Sequence, residues 1–417
     1  MNEQRPDARG TASPADVIAT GVDPGLPPDM IADLARHASI IGLGMSTREA
    51  HEVLACVFET TRSLVDDGFT TIAILDSPRV VAEYDGYVIG QPVDLEHTLD
   101  QAWGPWRNAQ FRDELIRLRA LNATRPVERQ IRFIGIGAST VVAADYDTVV
   151  ELLRGVDRRI ADDVERLLDV IRVAHDGGEH VQRARGLHPG VPFVDHARAA
   201  RAAALGAPDG PARREALALL DEIVDHHAHA PGSPQRVAAE PDAAEPDGEA
   251  GTAQPTLSVG GYDMASGERA AAERLMHYHE RTGARIILWE GTAHIAAQPA
   301  VALGPMLGTH LRAALGSKYV AVNVSFGRGR IARADIPAPQ DGSIDALLDV
   351  GGTARGLILG TAAPFDGSWA TRIISGLYDP TADGDHYIQF PSLRESFDAV
   401  IHIPTVTPTA PLRSDSV

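Results

Sequence analysis

Residues 39–75 read SIIGLGMSTREAHEVLACVFETTRSLVDDGFTTIAIL, and this stretch decides the fold class of the chain. Its two ends, 39–44 and 69–75, are short apolar runs of the kind that form buried parallel strands. The segment between them carries an apolar stripe at helical spacing, begins after a candidate N-cap at Ser46 or Thr47, and is closed by Gly68. The stretch therefore predicts one β–α–β unit, which normally has a right-handed crossover.

The rest of the chain extends this unit into a larger sheet. Further apolar runs that predict strands occur at 132–137, 284–289, 319–326, 354–360 and 397–404. Helical periodicity occupies 106–124, almost all of 146–229, and about 266–282. The pattern predicts an α/β fold with a mainly parallel sheet flanked by helices.

The order of these segments also predicts the domain organisation. The α/β core is built from residues 29–139 and 284–410, and a helical insertion at 140–283 covers the carboxyl ends of the strands. The first residues, 1–28, are rich in Pro, Gly and Asp and are predicted to be a flexible N-terminal segment. Residues 230–256 have no apolar period and are predicted to be a disordered loop within the insertion.

Composition excludes several classes of protein. A formal charge of −19 argues against a general nucleic-acid binder, because phosphate neutralisation needs clustered cations. No apolar run approaches the length of a membrane span, and the N-terminus lacks the pattern of a secretory signal. Cys56 is the only cysteine, which excludes an internal disulfide and a thiolate-cluster metal site. We therefore expect a cytoplasmic protein that acts on a small molecule, without a nucleic-acid or membrane partner.

Sequence motifs give no sign of a cofactor. No P-loop, GxGxxG fingerprint or GxSxG elbow occurs in a strand–helix context, so no nucleotide or other cofactor is predicted. The triplet of His226, His227 and His229 is the one candidate metal group, but it lacks nearby carboxylates. We interpret it as a solvated helix end and predict no metal site.

Polar side chains follow the predicted strands where parallel strands present their carboxyl ends, the edge at which such sheets bind ligands. Those singled out as candidates are Thr47, Arg48 and Glu52 after the first strand, Asp76 and Arg79 after the second, and Glu290 and His294 after the fourth. A histidine beside a carboxylate can act as a general base, and an arginine can stabilise a developing oxyanion.

The same residues also permit a purely structural interpretation. Polar residues after strands often cap helices, as expected for Thr47. Asp76 and Arg79 are close enough in sequence to form a local ion pair, and Glu52 on a helix face is often solvated. His294, which follows a buried strand, need not take part in chemistry.

Several segments of the chain resemble the erythromycin esterase family. They include IIGLGMSTREAHE at 40–52, LWEGTAHIA at 288–296 and GTHLRAALGSKYVAV at 308–322. With the other strand segments they place the resemblance over about 38–402, in order and with matching spacing. The family implies an α/β fold and hydrolysis of the lactone ester of macrolides, without a metal, by His and Glu residues around a cleft beneath a helical insertion.

This chain departs from the family at the positions that carry the chemistry. The first motif, Gly-Glu-x-x-His followed by a helical Glu, retains Gly44 and Glu52 but has Met45 for its Glu and Arg48 for its His. The second-strand Glu falls on Leu75, and Asp76 follows it as a possible substitute.

The family's Trp-x-His-Asn-x-His motif retains Trp289 and its second histidine, His294, while Glu290 is new. Arginine at 48 stays protonated and is unable to take a proton from water. We therefore predict a hydrolase-superfamily protein that acts on an ester, a lactone or a related natural product by an altered arrangement.

In that arrangement His294, held by Glu290 or Asp76, is the base. Arg48, assisted by Thr47, Glu52 and Arg79, binds the substrate. The alternatives are a non-catalytic relative that binds a small molecule or a partner, and a macrolide esterase with a rearranged base. All of these require that Arg48 and His294 face one cleft.

Overall fold

A computed structural model of the chain describes residues 23–24, 28–184, 186–188, 190–229, 264–301, 303–360, 365–376 and 378–412. The predicted disordered loop at 230–256 lies outside the described residues. So does the predicted flexible segment 1–28, except for residues 23–24 and 28.

The strands are β1 (Asp23–Pro24), β2 (Ile40–Met45), β3 (Thr71–Ile74), β4 (Arg132–Gly135), β5 (Ile286–Gly291), β6 (Tyr319–Ile331), β7 (Ala334–Ile336), β8 (Arg355–Ile358), β9 (Trp369–Arg372), β10 (Tyr387–Phe390) and β11 (Ala399–Val406). The helices are α1 (Pro28–Ala35), α2 (His51–Asp66), α3 (Pro78–Val88), α4 (Leu95–Asp100), α5 (Ala109–Asn122), α6 (Ala143–Arg154), α7 (Arg158–Ile171), α8 (Glu179–Ala184), α9 (Phe193–Ala204), α10 (Pro211–His229), α11 (Met264–Thr282), α12 (Thr292–Ile295), α13 (Leu307–Leu315), α14 (Ile344–Leu348) and α15 (Leu393–Ser396). Short 3-10 helices lie at Gly104–Trp106, Val127–Arg129, Arg172–His175, Gly316–Lys318 and Pro380–His386.

The main sheet has the strand order β1-β8-β11-β6-β2-β5-β3-β4, with β7 paired to β6. From β11 to β4 all neighbouring strands are parallel, whereas β1, β7 and β8 pair antiparallel. The strands β9 and β10 form a separate antiparallel pair. The prediction of a mainly parallel sheet flanked by helices is confirmed.

Strand β2 lies at the centre of the sheet, and its glycines admit a helix against it. A Cβ atom on Gly44 would lie 2.6 Å from Cγ1 of Ile295 and 2.9 Å from Cα of Thr292. A Cβ atom on Gly42 would meet Ile295 at 2.9 Å. Only glycine leaves room for α12 at this point, which brings the segment after β5 directly onto the strand.

Hydrophobic cores lie on both faces of the sheet. One face packs against α2, α3 and α5 through residues such as Leu54, Tyr84 and Phe111. The opposite face packs against α11 and α13 through Leu275 and Leu311. Each helix therefore buries one apolar stripe against the sheet, as the helical periodicity predicts.

Helices α6, α7, α9 and α10 form a core of their own. Its buried residues include Tyr146, Val164, Phe193 and Ile223. These helices contact the first turn of α3, where Arg79 forms an ion pair with Asp145 of α6 at 3.0 Å. The division into a core and an insertion at 140–283 stays a prediction.

The histidines at the end of α10 differ from their predicted environment. His227 is buried and its Nε2 lies 2.8 Å from the hydroxyl of Tyr146, while the ring of His226 stacks on that of His175 with centroids 5.3 Å apart. The prediction of a solvated helix end is therefore wrong for these two residues, because α10 packs this end into the bundle core. Among the described residues, no group of three or more His, Cys, Asp or Glu side chains is arranged to hold a metal ion.

Within the part of the chain described above, no helix is both long and apolar enough to cross a bilayer.

Candidate active site

The site lies where β2 and β5 end side by side. Met45 is paired with Gly291 in the parallel register, so the segments leaving the two strands are neighbours. Gly291 is the N-cap of α12, which places His294 one helical turn after Glu290. Arg48 lies in the segment between β2 and α2. The sheet therefore brings Arg48, Glu290 and His294 to one edge.

Hydrogen bonds among short polar side chains tie these two segments together. The hydroxyls of Ser46 and Thr292 are 3.1 Å apart, and both lie within hydrogen-bond distance of Oδ1 of Asn323 on β6, at 3.2 and 2.9 Å. All three residues are fully buried. This arrangement fixes the backbone next to Arg48 and Glu290.

Arg48 and Glu290 form a buried ion pair. Nη2 of Arg48 donates to Oε1 of Glu290 at 2.6 Å, and the two side chains are 9% and 2% exposed. The guanidinium also lies over two indole rings, 5.1 Å from the centroid of Trp103 and 5.7 Å from that of Trp106. Cation–π contacts of this kind stabilise a partly desolvated arginine. Nε of Arg48 and Oε2 of Glu290 are buried and have no hydrogen-bond partner among the described residues.

His294 is held by a carboxylate from another element. Its Nδ1 lies 2.8 Å from Oε1 of Glu268, in the first part of α11. The second oxygen of Glu268 accepts from the backbone N–H of Leu307 at 2.9 Å, which fixes the carboxylate. Nε2 of His294 is directed toward Glu290, 3.9 Å from its Oε1, which is too long for a direct hydrogen bond.

The surrounding charges decide the protonation of His294. Burial alone would lower its pKa, but the neighbouring carboxylate of Glu268, its hydrogen bond and the charge of Glu290 outweigh burial and raise the pKa to about 9, with Arg48 opposing them. Burial would raise the pKa of Glu268, but the same contact with His294 lowers it below its ordinary value. At neutral pH the pair is therefore chiefly imidazolium and carboxylate.

Glu268 was missed by sequence reasoning. It lies in α11, within the range 140–283 that the sequence predicts as the helical insertion, 26 residues before His294. No motif or periodicity links the two positions. A usable signal is that α11 leads directly into β5, so that its N-terminal part returns toward the edge where β5 ends.

Asp76 lies in a different set of contacts. This buried carboxylate accepts hydrogen bonds from the backbone N–H of Ser77 at 2.7 Å, from that of Trp103 at 3.1 Å, and from the hydroxyl of Tyr84 at 3.1 Å. Burial raises the pKa of Asp76 to about 6, against these hydrogen bonds, which lower it. Asp76 thus anchors the loop that carries Trp103 over Arg48. The place beside His294 that was predicted for Asp76 or Glu290 is taken by Glu268, and the catalytic role of Asp76 stays a prediction.

The other predicted binding residues are engaged away from the ion pair. Arg79 pairs with Asp145 of the helical bundle, so the expected local pair with Asp76 is not formed. Glu52 accepts from the backbone N–H and hydroxyl of Thr407, which binds the C-terminal segment to α2.

Thr47 is buried, and its hydroxyl accepts from the N–H of Glu49 at 3.2 Å in a local turn, while the N-cap of α2 is Ala50. The substrate-binding roles of Thr47, Glu52 and Arg79 stay predictions.

The chain is similar to known proteins over most of its length. A family model described as erythromycin esterase matches residues 65–406. No curated protein sequence matches the chain.

Solved structures with a similar fold include a protein from Bacillus cereus, 16% identical, with a TM-score of 0.62 over 96% of this chain and 98% of that one. A succinoglycan biosynthesis protein is 17% identical, with a TM-score of 0.61 over 97% and 100%. A histidine-to-asparagine variant of the erythromycin esterase EreC in its open conformation is 13% identical, with a TM-score of 0.55 over 92% and 94%. At these identities the structures show a shared fold.

Proposed function

This chain belongs to the erythromycin esterase family, and on that premise we propose that it hydrolyses an ester or lactone with His294 as the general base. The substrate is proposed to be a natural product that carries such a bond. The histidine of the family's first motif falls at the position of Arg48, so in this chain we place the base at His294 instead.

The observation that carries the proposal is the hydrogen bond between Glu268 and His294. A carboxylate that binds Nδ1 places the ring proton there, so that the neutral imidazole presents the Nε2 lone pair to a reactant. Here Nε2 faces Glu290, the ion-pair partner of Arg48, and the side chain of His294 is 24% exposed. The same arrangement of carboxylate and imidazole serves as a general base in many hydrolases.

The reaction follows from these positions. A water molecule attacks the ester carbonyl carbon while Nε2 of neutral His294 takes one of its protons. The carbonyl π electrons move to the oxygen, and the positive guanidinium of Arg48 stabilises the resulting oxyanion. As the intermediate collapses, the C–O bond to the alcohol breaks, and the imidazolium returns the proton to the leaving alkoxide. The products are a carboxylic acid and an alcohol.

The proposal implies a specific pH dependence. Since His294 must be neutral to act as a base and its pKa is raised to about 9, kcat/KM should rise with pH until that value is passed.

The test is incubation of the purified protein with a panel of p-nitrophenyl esters, simple lactones and a macrolide, followed by mass spectrometry for a product heavier by one water. His294→Ala should lower turnover by roughly 10²- to 10⁴-fold. His97→Ala removes an exposed histidine and is the matched control. Unchanged turnover in His294→Ala would exclude this base.

Binding of a lactone without any product would favour the non-catalytic alternative. That alternative is supported by the Arg48–Glu290 ion pair. Arg48 stands at the position of the histidine in the family's first motif, and Glu290 neutralises its charge.

A further inference from the structure

Two buried polar atoms of the Arg48–Glu290 pair have no partner among the described residues. They are Nε of Arg48, a donor, and Oε2 of Glu290, an acceptor. Burying a polar group without a partner is destabilising, so these two atoms call for a partner such as a water or a ligand bound at the site. Glu290 also lies 3.9 Å from Nε2 of His294, and the charge of Arg48 is close enough to lower the pKa of that imidazole.

The two atoms match the two reactants of ester hydrolysis. Water donates hydrogen bonds, as an acceptor such as Oε2 of Glu290 requires, and an ester carbonyl oxygen accepts them, as a donor such as Nε of Arg48 requires. We propose that Glu290 holds the attacking water through Oε2 while Arg48 binds the ester carbonyl oxygen through Nε, so that the ion pair itself is the reactant-binding unit. This inference rests on the proposed function.

The spacing around His294 supports this assignment. Nε2 of His294 is 3.9 Å from Oε1 of Glu290, the oxygen that Arg48 already occupies, which is too far for a direct hydrogen bond. The imidazole and the carboxylate that carries Oε2 are therefore close enough for one water molecule to touch both side chains. In the reaction, one proton of that water passes to Nε2 while the other stays hydrogen-bonded to Glu290. The oxygen then bonds to the carbonyl carbon, and the negative charge develops on the oxygen that Arg48 contacts.

Because Arg48 contacts Glu290 through Nη2, the same guanidinium can pair with Glu290 and still offer Nε to the ester carbonyl oxygen. Its planar group carries donors on separate nitrogens, and the one facing Oε1 of Glu290 is different from Nε. A lysine keeps the charge beside Glu290, but its three donors all radiate from one nitrogen at the end of the side chain, so none lies at the position of Nε.

Glu290→Gln and Arg48→Lys test the two halves of the proposal separately. Glu290→Gln keeps the shape of the side chain and should lower the limiting kcat at high pH by about 10²-fold, because the water is no longer oriented. It should also move the pH midpoint of kcat/KM below that of the wild type, since Glu290 is one of the charges that raise the pKa of His294. A midpoint shift with wild-type kcat at high pH would show that Glu290 acts only through its charge and would overturn its role with water.

Arg48→Lys should lower kcat by roughly 10²- to 10³-fold, the cost of removing one oxyanion donor, with little change in the pH midpoint. Wild-type kcat in this variant would overturn the role of Nε. The matched control is Glu114→Gln, which alters another buried glutamate that is paired to an arginine, Arg62, and also has one oxygen without a partner. Glu114→Gln should leave both kcat and the pH midpoint of kcat/KM unchanged.

A crystal structure of the protein without substrate provides a test that does not depend on turnover. An ordered water within hydrogen-bond distance of both Oε2 of Glu290 and Nε2 of His294 is expected. A direct protein partner for Oε2, or a water that contacts Glu290 alone, would overturn the inference.

If no ester or lactone is cleaved although this water is present, the proposed function fails while the binding arrangement stands. If esters are cleaved and Glu290→Gln has wild-type kcat, the inference fails while the function stands.

Discussion

The carboxylate of Glu268 and the imidazole of His294 are joined by a hydrogen bond of 2.8 Å between Oε1 and Nδ1, although they belong to different helices. The contact fixes the ring and directs Nε2 toward the Arg48–Glu290 pair. It also controls the charge of the ring, because a nearby carboxylate favours the imidazolium. The proposed base and the titration of His294 both depend on this relationship.

Replacing Glu268 by glutamine should lower the pKa of His294. The amide keeps the size of the side chain but removes the charge that raises this pKa to about 9, and burial then favours the neutral ring. NMR titration of the imidazole would measure the shift directly. Glu273→Gln alters an exposed glutamate of the same helix and should leave the titration unchanged. An unaltered pKa in Glu268→Gln would contradict the assigned cause.

The stability of the folded protein should fall as pH rises from about 6.5 to about 9. The pKa of His294 is raised in the folded state above the ordinary value of 6.5, so the folded protein binds more protons in this range. The contribution is fully present below 6.5, is lost as pH passes 9, and amounts to at most about 3 kcal/mol. Urea denaturation at both ends of the range measures it. His294→Asn should flatten this dependence, and an equally steep decline in that variant would assign the effect to another group.

Asp76→Asn should weaken the fold without changing the titration of His294. The carboxylate accepts from the N–H of Trp103 and Ser77 and from the hydroxyl of Tyr84, and an amide leaves at least one of these groups poorly paired. We expect a loss of about 1–3 kcal/mol in the free energy of unfolding. The measurement pairs urea denaturation with NMR of His294. A large shift in the His294 titration would instead place Asp76 in the electrostatics of the site.

Asp145→Ala should destabilise the protein more than Arg79→Ala does. Asp145 is buried, pairs with Arg79, and accepts the N–H of Val142 at the start of α6. Removing it loses both a cap and an ion pair, about 1–2 kcal/mol, whereas Arg79 is about half exposed and its loss should cost less than about 1 kcal/mol. Chemical denaturation of the two variants compares them. Equal losses would mean that the cap contributes nothing.

Acid should destabilise the helical bundle through its buried histidines. Burial lowers the pKa of His175 to about 3 and that of His226 to about 4, so the unfolded state takes up more protons as pH falls below 6.5. Stability contributed by the neutral rings is therefore lost between 6.5 and these values. His226→Leu should make the acid unfolding curve, followed by circular dichroism, shallower. His97→Leu, at an exposed position, should not, and a matching change there would refute the assignment.

The sequence by itself determined the sheet and the edge at which the candidate site lies. Apolar runs alternating with a helical stripe predict parallel strands, and such strands present their carboxyl ends together. For that reason Arg48, Glu290 and His294 were expected at one place, and they meet there. Their common edge can be predicted because the periodicity of each segment identifies the strands and the order of the segments identifies the residues that follow each strand.

Only the tertiary structure decided which partner each polar side chain has. Glu268 reaches His294 because α11 packs on the sheet and returns toward the end of β5. Arg79 turns to the helical bundle, and Glu52 to the C-terminal segment. A long polar side chain has several partners within reach, and the choice between them depends on how helices pack at long sequence separation, which no local pattern of residues specifies.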